Sequence, residues 1–117
     1  MDRRALGSAG EHLAERELER LGLRVIARNV RSRAGEIDLV CRDGRGYAFV
    51  EVKTRRAGSF VAAVQAVDGR KARRLALLAE SWLAQRGERH VPWRILIAAL
   101  TVSADGTRFE LLPLEIL

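Results

Sequence analysis

The stretch GEIDLVCRDGRGYAFVEVKTR, residues 35–55, decides how this chain folds. Its two halves, Gly35 to Val40 and Tyr47 to Arg55, are rich in Ile, Val, Leu, Phe and Tyr, and the connector Arg42-Asp43-Gly44-Arg45-Gly46 supplies the glycines of a tight reversal. The segment reads as a β-hairpin. With Asp43 and Gly46 flanking the turn, the register sets Cys41 opposite Ala48, Asp38 opposite Glu51, and Glu36 opposite Lys53. Side chains alternate along a strand, so Glu36, Asp38, Glu51 and Lys53 are expected on one surface. A slip of one residue would send one strand's set to the other face, so the expectation rests on this register.

Two carboxylates set across from one another repel unless something positive lies between them. A divalent cation meets that need. Mg²⁺ takes oxygen ligands, keeps several waters and commonly accepts only one or two carboxylates from a protein, which leaves room for phosphate oxygens. A lysine two residues beyond the second carboxylate is placed to orient or deprotonate an attacking water, or to neutralise charge developing on phosphorus. The pattern therefore points to phosphodiester chemistry with Mg²⁺ or Mn²⁺. The ordinary alternative is an exposed Glu36–Lys53 ion pair beside solvated Asp38 and Glu51, and spacing alone does not separate the two.

The segments G-E-I-D-L and F-V-E-V-K-T-R resemble the YraN-like family of small bacterial proteins, within the restriction-endonuclease-like superfamily. The resemblance runs from Gly10-Glu11 and Ala14, through Arg28-Asn29, to beyond Lys71. It implies an α/β fold with a mixed central β-sheet flanked by helices, formed as a single nuclease-like domain over residues 1–117. It also implies catalytic roles for Asp38, Glu51 and Lys53, with Asp38 and Glu51 as metal ligands. Archaeal-type Holliday-junction resolvases share this plan and add a glutamate from the first helix, to which Glu11 corresponds. Two departures stand out. Ile37 precedes Asp38 where many superfamily members carry proline, and a late strand that commonly reads Arg-Phe-Asp in the family reads Arg94-Ile95-Leu96 here.

The chain has 117 residues, 48% hydrophobic and 31% charged, and no apolar run long enough to span a bilayer. A chain of this size buries roughly two thirds of its unfolded surface, enough for a core without staples. Cys41 is the single cysteine and lies in an apolar strand, so a packed thiol is expected. Met1 to Gly7 carries positive charge without the apolar core of a secretory signal, which makes the cytoplasm the expected location. Lys and Arg number 21 against 15 Asp and Glu, a formal net charge of +6. Such an excess favours nucleic acid, because each phosphate neutralised releases counterions. Only Lys53 and Lys71 are lysines; the rest are arginines, which fork onto phosphate. Arg28, Arg31 and Arg33 precede the hairpin site, Arg55 and Arg56 leave it, and Arg70 and Lys71 open a later helix. These seven are the candidate nucleic-acid contacts.

Outward from the hairpin, Ser8 is expected to cap a helix over Ala9 to Leu21 that Gly22 ends, with Leu6, Leu13, Ala14, Leu18 and Leu21 as its apolar stripe. Either Glu11 or Glu15 could face the hairpin. Leu23 to Arg28 reads as a short strand and Asn29 to Ala34 as a basic loop. After Lys53, Val61 to Val67 is ambiguous, with Gln65 a supporting polar residue. Leu75, Leu78, Ala79, Trp82 and Leu83 recur at helical spacing within Arg70 to Gln85. Trp93 to Val102 is apolar enough for a strand buried on both faces, and Ala104-Asp105-Gly106 turns it into Thr107 to Leu112, which Pro113 ends or edges. The apolar tail Leu111 to Leu117 is expected to pack on the sheet or against a second copy, so a homodimer is one possible assembly.

The leading expectation is a metal-dependent endonuclease acting on DNA, branched DNA included, through Asp38, Glu51, Lys53 and Glu11, with Glu36 beside them. The alternatives are a catalytically inactive nucleic-acid-binding module, or a protein-interaction module, on the same fold.

Overall fold

A computed structural model describes residues 3–58 and 69–115. Helix α1 (Arg3–Arg20) is followed by the strands β1 (Arg24–Ser32), β2 (Gly35–Asp43) and β3 (Gly46–Arg56). Helix α2 (Gly69–Gln85) then leads to β4 (Trp93–Ser103) and β5 (Gly106–Leu114). The strands form one sheet in the order β1-β2-β3-β4-β5, antiparallel throughout except for the parallel pair β3 and β4 that α2 connects. This is the mixed sheet flanked by helices that the restriction-endonuclease-like resemblance implies.

The hairpin forms in the expected register, with Cys41 opposite Ala48 and Asp43 opposite Gly46. Asp43 holds the turn by accepting the Arg45 N–H at 2.8 Å and the Arg94 guanidinium at 2.9 Å. One face of the sheet packs Leu39, Cys41, Ala48 and Val50 against Ala14 and Leu18 of α1. The other packs Val40, Tyr47 and Phe49 against Leu75, Leu78, Ala79 and Leu83 of α2. Cys41 is fully buried, and burial pushes its thiol up to about 12, consistent with a packed side chain. Trp82 and Trp93 meet the Phe49 ring edge-on at 5.7 and 5.9 Å, so both anchor the core.

Four expectations change. Helix α1 begins at Arg3 and runs through Ser8, so Ser8 does not cap it. The run Arg4-Ala5-Leu6 has enough helix propensity to extend the helix. Gly22 does end it, at φ +88°, with Leu23 N–H reaching back to Leu18 C=O at 2.9 Å. Leu21 is 60% exposed and leaves the apolar stripe. The basic segment Asn29 to Ser32 is strand, because pairing with β2 continues to Ser32 and Gly35 and outweighs the polar local composition. Finally, the β2–β3 ladder stops at Leu39 and Val50, short of Asp38 and Glu51. Pro113 sits within β5, an edge strand where a missing N–H is tolerated, and Leu112 and Leu114 pack on the sheet beside Ile97 and Ala99. Gln65 and the ambiguous Val61 to Val67 lie outside the described residues.

Gly46 is the backbone position on which the hairpin's closure depends. It has φ +118°, and a Cβ there would stand 2.1 Å from the Pro92 carbonyl oxygen that accepts the Tyr47 N–H. Gly46→Ala is predicted to cost about 2–4 kcal/mol in urea denaturation, from strain plus the lost approach of β3 to the β4 entry. Gly44→Ala, with open space around its Cβ, should cost less than about 0.5 kcal/mol. Equal effects of the two would contradict this account of the turn.

Candidate active site

Asp38 stands where regular sheet structure fails. In β1, Asn29 adopts φ +50°, a left-handed conformation that asparagine tolerates, and the β1–β2 ladder keeps its register but lacks a pair at Asn29 and Asp38, between Arg28↔Leu39 and Val30↔Ile37. Side-chain alternation breaks there. Ala27 and Val30, three residues apart, both pack on the α2-side core, as do Val40 and Ile37. Since β2 and β3 also stop pairing at Leu39↔Val50, the main chains part at Asp38. Its carboxylate bridges the gap by accepting the Val52 N–H at 2.8 Å. Asp38 consequently lines two depressions. One includes Glu11, His12 and Glu15 of α1; the other is a cleft of roughly 240 Å³ with Glu36, Glu51, Lys71 and Arg74.

Glu51 is the only buried charged residue among those described, at 7% exposure. It extends from β3 on the α2 side, and both lysines of the chain converge on its Oε1. Lys71 Nζ lies at 2.7 Å and Lys53 Nζ at 3.4 Å. Lys71 is delivered by the first turns of α2, where the burial of Ala72 and Leu75 against the sheet fixes the helix over the cleft. Sequence reading treats Lys71 as a surface phosphate contact; the structure puts it on Glu51 instead. Its signal in the sequence is its rarity, one of two lysines among 21 basic residues.

Two crowded ammoniums around one carboxylate respond differently. Burial, followed by the neighbouring Lys71, lowers the Lys53 pKa against the pull of Glu51. Lys71 is also opposed by burial, yet its hydrogen bond to Glu51 keeps its pKa above the ordinary value. Asp38 is pushed up to about 7, first by burial and then by the charge of Glu51, with smaller contributions from Glu11 and Glu36, while the Val52 N–H works the other way.

Asp38, Glu51, Lys53 and Lys71 therefore meet at the α2-side cleft, whereas Glu11 approaches Asp38 from the α1 side and lines the other depression. Glu36 lies at the edge of the cleft, paired with Arg31 at 3.7 Å. Glu15 is engaged by the Arg28 guanidinium through Nε at 3.0 Å, and the pair lines the α1-side depression with Glu11 and Asp38. Arg55 leans on Thr101 at 3.4 Å, and Arg33, Arg56 and Arg70 are exposed. Among the described residues no group of three or more His, Cys, Asp or Glu forms a metal cage. A Mg²⁺ or Mn²⁺ ion does not require one, since one or two carboxylates suffice. Asp38 and Glu51 fit that demand, because their mutual repulsion is the charge a divalent cation would offset.

The chain matches the family described as "Uncharacterised protein family UPF0102" over residues 10–112. A UPF0102 protein of Symbiobacterium thermophilum is 46% identical over 103 residues, covering 88% of this chain and 87% of the relative. One from Mycobacterium sp. (strain JLS) is 45% identical over 107 residues, covering 90% and 79%. One from Yersinia pseudotuberculosis is 44% identical over 115 residues, covering 97% and 95%. Among solved structures, Pyrococcus furiosus SfsA in complex with Ca²⁺ aligns with a TM-score of 0.44 at 20% identity. That alignment covers 99% of this chain, which spans 65% of the SfsA chain.

The Asp38 environment carries a stability prediction. An unfolded aspartate titrates near ~3.9, whereas the folded value is raised to about 7. The folded state therefore holds this proton more tightly. Stability from the protonated form is complete below about pH 4 and is lost as pH rises through about 7. Asp38→Asn keeps an acceptor for Val52 and removes the charge. In metal-free protein at pH 8 it should be more stable than the parent by on the order of 1–2 kcal/mol, with the gap closing toward pH 4. A less stable Asp38→Asn at pH 8 in thermal melts would contradict the assignment.

Proposed function

The chain belongs to the UPF0102 family, the YraN-like family its hairpin segments resemble, and from that premise we propose a metal-dependent endonuclease that binds DNA and hydrolyses its phosphodiester bonds. The observation that carries this reading is the meeting of Asp38 and Glu51 at an opening in the sheet with Lys53 beside them. Asp38 and Glu51 would hold Mg²⁺ or Mn²⁺, which when bound supplies positive charge to polarise a phosphate and to acidify water. Lys53, with its lowered pKa, takes or orients the proton of the attacking water, and its ammonium form neutralises charge on the phosphorane. Glu11 faces Asp38 from α1 and adds negative charge that strengthens cation binding.

The basic residues around this opening serve the polyanion. Arg31 and Arg33 at the β1–β2 end, Arg55 and Arg56 at the end of β3, and Arg70 at the start of α2 offer phosphate contacts that carry no base readout. No helix among the described residues is long and apolar enough to cross a membrane. A cytoplasmic setting is a separate proposal. A homodimer is a further proposal, drawn from the apolar end of the chain.

A second reading has its own observation. Lys53 and Lys71 already neutralise the buried Glu51, so the site balances its charge without an ion, as a binding module that does not cleave would need. The test is Mg²⁺ and Mn²⁺ titration against single-stranded, duplex, flap and four-way-junction DNA, with Asp38→Asn and Lys53→Met beside the parent. Metal-dependent cuts are expected, reduced at least ~100-fold in each variant. DNA binding without cuts, unaltered by either substitution, would overturn the nuclease reading in favour of the binding module.

A further inference from the structure

The Glu51 carboxylate serves two masters in this architecture. Its Oε1 receives Lys71 at 2.7 Å and Lys53 at 3.4 Å, and it is the same group offered to a divalent cation. A buried carboxylate cannot stand alone, because removing one partner of such a pair leaves an uncompensated charge. A divalent cation set against two ammoniums is equally unfavourable, since like charges at contact distance repel. One of the lysines must move away or give up its proton. Lys53 is fixed two residues along the same strand, whereas Lys71 reaches over from another element and its side chain is the more exposed, at 37% against 27%. The shortest contact to Glu51 is thus also the one best able to swing outward.

We infer that Lys71 is a built-in counter-charge that occupies Glu51 in the metal-free protein, is displaced when a divalent cation loads, and so sets the cation concentration at which the site fills. This rests on the assignment of Asp38 and Glu51 as cation ligands and gives α2 a regulatory part in that site. Lys71 is a positioning residue here. It holds Glu51 by direct contact, and it competes directly with the ion.

The exchange has a sign that structural support alone would not produce. Lys71→Met removes the competitor, so Mg²⁺ and Mn²⁺ measured by calorimetry should bind about five- to tenfold more tightly, although the metal-free protein becomes less stable. Lys71→Arg, which grips a carboxylate through two donors, should bind them more weakly than the parent. Arg73→Met, losing the same charge two residues along α2, should shift affinity less than about twofold if the effect is specific to the contact. Should Lys71→Met not fold, the parent chain answers by NMR: the Lys71 ammonium resonance, held by Glu51, should move to a solvent-like position with the same midpoint as Mg²⁺ binding. Unchanged or weakened metal affinity in Lys71→Met overturns the inference, as does a Lys71 resonance indifferent to bound Mg²⁺, or no divalent binding by any form. Binding that shows the exchange without DNA cleavage would instead sustain it and refute the nuclease reading alone.

Discussion

Everything at this site follows from one constraint: the Glu51 carboxylate is buried and charged, so positive charge must be brought to it. Strand β3 supplies Lys53 from the next position on the same face, and α2 supplies Lys71 from across the cleft. The apolar packing of Leu75, Leu78, Ala79 and Leu83 onto Tyr47 and Phe49 holds α2 in that place. The hydrophobic core therefore does electrostatic work, because shifting α2 would strand a carboxylate in a setting where burial of an isolated charge costs several kcal/mol.

The second carboxylate is set by an interruption rather than by regularity. Asn29 leaves the extended region, the two neighbouring ladders lose their pairs at Asp38, and the side chain takes over the acceptor role for Val52 that a sheet neighbour would have filled. An aspartate suits this position because it both satisfies the orphaned N–H and remains open to the depressions on either side of the sheet. The approach of α1 completes one of them. Gly10 permits it, since a Cβ there would lie 2.3 Å from Thr54 Oγ1, and one residue further along Glu11 lines the same depression as Asp38.

Much of this is legible in the sequence, for physical reasons. Glycines and Asp43 at the turn pin the hairpin register, and alternating apolar residues set its faces, so Cys41 opposite Ala48 and the grouping of Glu51 with Lys53 follow from local rules. The helical spacing of Leu75, Leu78, Ala79 and Leu83 marks α2 equally well. Local rules fail where tertiary pairing overrides them. The polar run Asn29 to Ser32 looks like loop yet pairs as strand, and strict alternation misses the break at Asp38, which faces a left-handed Asn29 in a strand already shifted at Val25 and Ala27. Lys71 is hidden for another reason. Its contact with Glu51 spans α2 and the sheet, and a basic first helical turn reads as surface until the helix is placed.

A crystal structure with Mn²⁺, read from the anomalous signal of the metal, tests the site most sharply. A peak contacted by the carboxylates of Asp38 and Glu51 is expected, with Lys71 moved off Oε1 of Glu51 and Lys53 retained beside it. A structure at saturating Mn²⁺ with Lys71 still bonded to Glu51 and no peak between the two carboxylates would contradict that arrangement.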